Sequence, residues 1–322
     1  MENMTGREDT HPKTTEMKKH SLLVEVLIRL VREKPMGVVG GVIVVLMLFA
    51  GIFADFLAPY GMNESHLMEA LDSPSRTYLL GTDNLGRDLL SRIIYGARIS
   101  MIVGLSASVI SMIIATTVGV LCGFLGGVFD VVVQRIVDAW MCFPFLVILI
   151  SIMALLGSGM IQVIVVLGIL SGITGSRIVR GATIGIKENM YIEAARAIGS
   201  STKRMLVRHT LPNISAPIIV MFTISLGAMI LAESTLSFLG FGIPPPTPSW
   251  GGMLSGSGRN YMFIAPWLAI WPGVALGLAV FGINMLGDAI RDILDPRLRG
   301  GIGRYGGQTR AGKSKTLKMK KD

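Results

Sequence analysis

Charge is the scarcest resource in this chain, and its distribution is informative. Asp, Glu, Lys and Arg make up 16% of the 322 residues, against 51% hydrophobic residues and 39 glycines, whereas a soluble domain carries about a quarter charged residues. That deficit excludes an ordinary water-soluble core and points to a protein built for a bilayer. Cysteine is almost absent: Cys122 and Cys142 both lie in apolar runs, where a thiol serves as a small buried hydrophobe, so no metal site or cofactor is expected. Acidic, basic and histidine side chains are nearly missing from the interiors of those runs. Transporters and channels that work alone keep ionisable groups or broken helices near the midplane, so their scarcity argues for a membrane component driven from outside.

What is present is long apolar sequence. Uncharged runs cover residues 36–53, 99–129, 139–176, 211–232 and 261–287. A helix crossing the ~30 Å hydrocarbon layer needs about 20 residues, and 139–176, as one helix, would reach roughly 57 Å. Gly157-Ser158-Gly159 in its middle is a turn signal, and splitting there gives six spans. Lysine and arginine support that count. With both termini inside, residues 1–35, about 123–135, about 177–210 and 291–322 hold 25 of the 30 Lys and Arg, and the outer segments, roughly 54–97, the Gly157 turn and 240–260, carry only Arg76, Arg87, Arg92 and Arg259, as the positive-inside rule requires. The net charge of +9 then reflects topology and attraction to the lipid bilayer's anionic headgroups, and no nucleic acid is implied. The expected layout is an all-α, multi-pass cell-membrane protein. It has a cytoplasmic tail over 1–35, a six-helix domain over 36–290 with an outer segment at about 58–97, and a basic cytoplasmic tail over 291–322. The hydrophilic first 20 residues and the span-length run beginning near Met36 suggest an uncleaved anchor.

Two glycine patterns in the tail are rejected. Gly307 to Ser314 fits the Walker A spacing and Gly301 to Gly306 fits G-x-G-x-x-G, but neither follows a strand nor opens a packed helix, the context that aims backbone amides at phosphates. Within the spans, Ala115, Gly119, Gly123 and Gly127 recur every four residues, and Gly273 and Gly277 repeat the spacing, predicting close helix approach. Pro144 predicts a kink in the third span.

A polar island, Glu193-Ala194-Ala195-Arg196-Ala197-Ile198-Gly199 running on to Leu211-Pro212-Asn213, interrupts the apolar pattern. A helix over about 188–198 would align Tyr191, Ala194, Ala195 and Ile198 in one stripe, beside Glu193 and Arg196. Gly199 suits a left-handed helix stop, and Ser200 or Ser201 can cap a second short helix. On the other side of the membrane, Thr82 or Asp83 can cap a helix with Leu85, Leu89 and Ile93 in a stripe and Asp88 paired to Arg92. Arg135 with Asp138 and Asp288 with Arg291 have the spacing of local ion pairs. Trp250, in the stiff Pro244–Trp250 loop, is expected at the interface, and Glu233 is expected near the outer end of the fifth span.

Glu193-Ala194-Ala195, Gly199 and Leu211-Pro212 resemble the EAA loop, here about residues 177–212, of ABC-importer permeases, with His209 where the general pattern has an aliphatic residue. Gly81-Thr82-Asp83-Asn84-Leu85-Gly86-Arg87-Asp88, the Phe238-Leu239-Gly240 stretch, Pro245 to Gly251 and the ending Gly287-Asp288-Ala289-Ile290-Arg291-Asp292 with Asp295-Pro296-Arg297 are similar to the second permease subunit of dipeptide and oligopeptide importers. The resemblance covers roughly residues 25–300. It implies the type I permease fold and a division of labour in which this chain hydrolyses nothing. A homologous second permease, two cytosolic ATPases and an extracytoplasmic solute-binding protein complete the machine. It also implies that Glu193, Ala194, Ala195, Gly199, Leu211 and Pro212 form the ATPase-coupling hairpin. Asp83, Arg87, Glu233 and Trp250 are candidate contacts for the binding protein or solute. A di- or oligopeptide is the expected cargo, with nickel, glutathione or another small solute as the alternative within the same architecture.

Overall fold

The computed structural model describes residues 30–294, and the glycine-rich motifs of the tail and Asp295-Pro296-Arg297 lie outside them. Among the described residues, five helices are long and apolar enough to cross a membrane: α1 (Pro35–Ile52), α2 (Leu89–Leu125), α5 (Met160–Lys187), α7 (Ser215–Phe238) and α8 (Trp267–Leu294). Between α2 and α5 lie α3 (Gly127–Met141) and α4 (Phe145–Leu156), bent by 88° at their junction. A short helix, α6 (Met190–Ala197), follows α5.

The α3–α4 pair supplies the sixth crossing. Gly127 leaves the end of α2 that meets α6, whereas Ser158, just past α4, lines the same cavity as Arg87 and Arg92 at the opposite end. Proline at 144 lacks an N–H and forces Phe143 out of helical geometry, so α3 stops at Met141 and α4 restarts at Phe145. The expected kink is therefore a full break. Gly157, at φ +83°, ends α4 and begins the turn into α5.

Helix α2 differs from expectation at both termini. Instead of a separate surface helix capped by Thr82 or Asp83, one 37-residue helix starts at Leu89 and runs unbroken through the span, about 56 Å at 1.5 Å per residue. Its cap is Asp88, whose carboxylate accepts hydrogen bonds from the Ser91 N–H (2.8 Å) and hydroxyl (2.6 Å). That occupies Asp88, so the expected Asp88–Arg92 pair is replaced by Arg92 and Asp83, 3.6 Å apart. At the far terminus, Gly126 and Gly127 both take positive φ, turning the chain into α3.

Close approach of helices is carried by glycine. A Cβ on Gly119 would lie 2.6 Å from the Ser176 carbonyl oxygen, and one on Gly123 2.8 Å from that of Arg180, so α2 and α5 touch backbone to backbone. Gly40 and Gly282 do the same for α1 and α8, at 2.5 Å. Two expected members of this pattern fall away: Gly127 opens α3 with no neighbour, and Gly277 faces open space. Large apolar side chains such as Val45, Phe49, Leu155 and Ile161 point outward while Ser100, Ser108, Ser111 and Thr183 are buried, the arrangement expected where helices associate through small and polar residues in lipid.

The bundle has two distinct ends. One gathers the 58–88 segment and the stretch between α7 and α8, tied by the Trp250 indole donating to the Ile93 carbonyl (3.1 Å) and the Trp267 indole to that of Thr82 (3.3 Å). The other carries α6. Lys34 pairs with Asp292 at 2.5 Å, which sets the start of α1 and the close of α8 together there. The expected Asp288–Arg291 pair is not among the ion pairs of the described residues.

Candidate functional site

Helix α6 is a short platform mounted on the ends of longer helices. Asn189 precedes it, and its amide donates to the Gly185 (3.0 Å) and Ile186 (3.1 Å) carbonyls, closing α5. Gly199 follows at φ +79°; its N–H meets the Arg196 carbonyl and the Ser200 N–H meets that of Ala195, both at 3.0 Å. This paired closure is the Schellman stop, which needs a left-handed residue at the Gly199 position. A Cβ there would touch nothing within 4 Å, so the demand for glycine is conformational rather than steric. Ser201 then caps the next turn, its hydroxyl accepting from the Arg204 N–H at 3.4 Å.

The two faces of α6 divide differently from the predicted stripe. Ile192 and Ala195 turn inward onto Phe124 and Met205. Tyr191, Glu193, Ala194 and Ile198 face out, with Met190 80% and Ile198 84% exposed. Of the residues expected to couple, Glu193, Ala194 and Gly199 are therefore presented outward, and Ala195 packs against the chain's own bundle. Leu211 joins the cluster of Val179 and Ile214. Pro212 is exposed at the beginning of the next helical turn, where its missing N–H is tolerated. The turn before it, Met205–Thr210, is a π-helix whose Thr210 hydroxyl bonds the Met205 carbonyl at 3.2 Å. No periodicity argument finds such a widened turn.

Ion pairs at three aspartates fix the geometry around this platform. Arg180 of α5 grips Asp130 of α3 through Nε (2.6 Å) and Nη2 (2.5 Å). Arg177 pairs with Asp138, sharing it with Arg135 at 3.5 Å; only the Arg135–Asp138 pair was legible as local spacing. Lys34–Asp292 is the third. Between the α3–α4 break, α5 and α7 lies a cavity of about 760 Å³, mostly apolar, with the hydroxyls of Ser111, Ser171, Thr174 and Ser225 on its walls and Arg291 at one margin.

At the opposite end the four candidate contacts are chiefly internal. Asp83 is 1% exposed; its Oδ1 accepts from the Leu85 (2.8 Å) and Arg87 (3.0 Å) amides and its Oδ2 from Arg87 Nε (2.7 Å). Trp250 is fully buried rather than at the interface, and a Cβ on Gly96 would lie 3.0 Å from its ring. Glu233 is also fully enclosed, accepting from Ser237 (2.7 Å) and Ser234 (3.3 Å), while the Ser237 oxygen receives the Ile243 N–H at 3.2 Å. Arg87 alone of the four lines a cavity. In the same region, the Glu69 carboxylate accepts from the Tyr78 hydroxyl and pushes that phenol above its ordinary range.

Comparison with known proteins matches this architecture. Residues 115–300 fit the family described as binding-protein-dependent transport system inner membrane component, and residues 21–74 fit the N-terminal transmembrane domain of oligopeptide transport permease C. The chain is 40% identical over 264 residues to the glutathione transport system permease protein GsiD of Pectobacterium atrosepticum, covering 82% of this chain and 87% of that protein. It is 37% identical over 268 residues to the dipeptide transport system permease protein DppC of Alkalihalophilus pseudofirmus, covering 83% and 88%. Among solved structures, inward-facing conformations of the MetNI methionine ABC transporter contain a chain matching 63% of this one and 96% of itself, with TM-score 0.52 and 20% identity, a likeness of fold.

Proposed function

Because the chain belongs to the inner-membrane components of binding-protein-dependent transport systems, we propose that α6 is the surface through which cytosolic ATPases drive it, and that its cargo is a short peptide, glutathione included. The observation that carries the coupling reading is the outward face of Tyr191, Glu193, Ala194 and Ile198, held at a fixed angle by the Gly199 stop. An apolar face with one carboxylate, projecting from the bundle on a rigid stem, fits a groove in a partner. When two nucleotide-bound ATPases close, rigid elements seated in their grooves move with them, and the six-helix bundle shifts between outward-open and inward-open packings. Ion pairs Arg180–Asp130 and Arg177–Asp138 would transmit the displacement from α5 into the α3–α4 pair, which borders the larger cavity.

Orientation follows from charge: the α6 end carries Arg177, Arg180, Lys187, Arg196, Lys203, Arg204 and Arg208, so it is the cytoplasmic end under the positive-inside rule, with both termini on that side. ATP hydrolysis then belongs to the partner subunits, and a second, homologous permease and an extracytoplasmic binding protein complete the assembly. The cargo reading rests on the relatives named for glutathione and dipeptide transport.

Uptake of labelled dipeptide and glutathione by cells carrying Gly199→Val, Gly199→Asn or the wild-type chain tests both halves. Asparagine tolerates the left-handed conformation and valine does not. The expected result is normal membrane insertion for all three, near-normal uptake with asparagine and lost uptake with valine. Normal uptake by Gly199→Val would overturn the coupling role, and a chain deletion that changes neither uptake would overturn the cargo.

A further inference from the structure

At the end away from α6, the Gly81–Asp88 loop, the Pro244–Pro248 loop and the stretch before α8 enclose a second cavity of about 400 Å³. Its lining includes Asn84, Arg87, Arg92, Ser257, Asn260 and Tyr261, and among the described residues Arg87 and Arg92 are the only charged ones on its walls. Their side chains are 12% and 8% exposed. Behind them stands one carboxylate, Asp83, bound by Arg87 through Nε and Nη2 at 2.7 Å and approached by Arg92 Nε at 3.6 Å. Of the other acids in this region, Asp88 is spent on the N-terminus of α2 through Ser91, Glu233 stands behind the lining residue Ser237, from whose hydroxyl it accepts a hydrogen bond at 2.7 Å, and neither lines the cavity. Arg92 Nη1 contacts the Met62 carbonyl (3.2 Å) and the Asn63 side-chain oxygen (3.3 Å), which are neutral. Among the described residues, no hydrogen bond engages Arg87 Nη1 or Arg92 Nη2.

Two nearly buried guanidinium groups therefore share one carboxylate. An uncompensated buried charge is costly, several kcal/mol even after relaxation, and an anion entering the cavity would remove that cost. Arginine's planar fork suits a carboxylate, which it can grip through two parallel N–H groups. The volume sits at the small end of ligand pockets, roughly 300–1,000 Å³, enough for a small solute, and the neutral hydroxyl and amide groups of Ser257, Asn260 and Tyr261 on its walls can supply further hydrogen bonds. We propose that this cavity is a carboxylate-binding site for a small anionic or zwitterionic solute, with Arg87 and Arg92 as its anion-recognising groups. The proposal deepens the transport reading, on which it rests for the identity of the solute as cargo, by giving the permease its own recognition of the solute's carboxylate.

The test uses the full chain in nanodiscs of zwitterionic lipid, titrated calorimetrically at low salt with trialanine and, separately, with trialanine amide, which differ only in the terminal carboxylate. The expected result is saturable binding of the acid and binding at least about tenfold weaker for the amide. Arg87→Gln should weaken the acid about tenfold or more and leave the amide unchanged, with the thermal unfolding midpoint as the check on folding. Should that variant unfold, Asn260→Asp decides the matter: a negative charge placed on the cavity wall must weaken the acid and spare the amide. Equal affinity for acid and amide, no saturable binding of the acid, or indifference to both substitutions would overturn the site. None of those results bears on coupling, because uptake that depends on Gly199 can persist without this cavity.

Discussion

Glu233 shows how a single residue shapes the end opposite α6. Its carboxyl is wholly enclosed and takes hydrogen bonds from Ser234 and Ser237, and the Ser237 oxygen in turn receives the Ile243 N–H. Side chain, hydroxyl and loop backbone thus form one chain of bonds that moors the stretch after α7. Glu233→Gln preserves the shape and an accepting oxygen and should unfold near the wild-type temperature in detergent. Glu233→Leu strands the serine hydroxyls and should cost about 1–3 kcal/mol, read as a lower unfolding midpoint; equal midpoints for the two variants would contradict the mooring role. Tyr78 provides a pH test. Its phenol is held above its ordinary range by the hydrogen bond to Glu69, so the associated stability is fully present below the unfolded value of about 10 and is lost as pH rises through the higher folded value. The tyrosinate absorbance that Tyr78→Phe removes should accordingly appear only above the normal phenol range, and its appearance near pH ~10 would rule the interaction out.

At the scale of elements, helix contact is decided by where a glycine faces, and spacing alone does not reveal that. Gly119→Leu must drive α2 from the Ser176 carbonyl, 2.6 Å from the added carbon, and should cost about 1–3 kcal/mol or more. Gly277→Leu, facing open space, should fall within about 0.5 kcal/mol of wild type in the isolated chain; thermal unfolding of the pair checks the contrast, and similar losses in both would refute it. The same distinction explains which elements were legible in advance. Apolar runs announced the spans, and Gly157 and Pro144 marked their breaks, because proline and glycine act through local backbone geometry. The reach of α2 was hidden because its first turns carry Arg92 and Arg98, whose polar groups find partners distant in sequence, Arg92 at the Met62 carbonyl and the Asn63 side-chain oxygen and Arg98 at Asp55. Likewise Ala194 and Ala195 are interchangeable to a periodicity argument. It is Ile192, buried against Phe124 and Met205, that decides which alanine faces home.

For the whole molecule, the proposed coupling surface and the proposed solute site lie at opposite ends. The α6 end presents a rigid apolar and acidic edge amid positive charge; the opposite end encloses two arginines in a small cavity. Six crossings connect them through glycine-tight contacts in α1–α8 and α2–α5, so a displacement imposed at one end would be carried as rigid-body motion rather than absorbed by soft packing. The family was legible from the Glu193–Gly199 and Gly81–Asp88 motifs, whereas burial was not: Asp83 and Trp250 are enclosed, and Arg92 lines the cavity with Arg87. The most direct measurement of the central claim is affinity purification of the tagged chain from its native membrane in mild detergent, with mass-spectrometric identification of what remains bound, for wild type and Gly199→Trp. Recovery of a second permease and of ATPase subunits with the wild type, and loss of the ATPases alone from the variant, is the expected result. ATPases retained in full by the variant, or absent from the wild type across several mild detergents, would contradict coupling through α6.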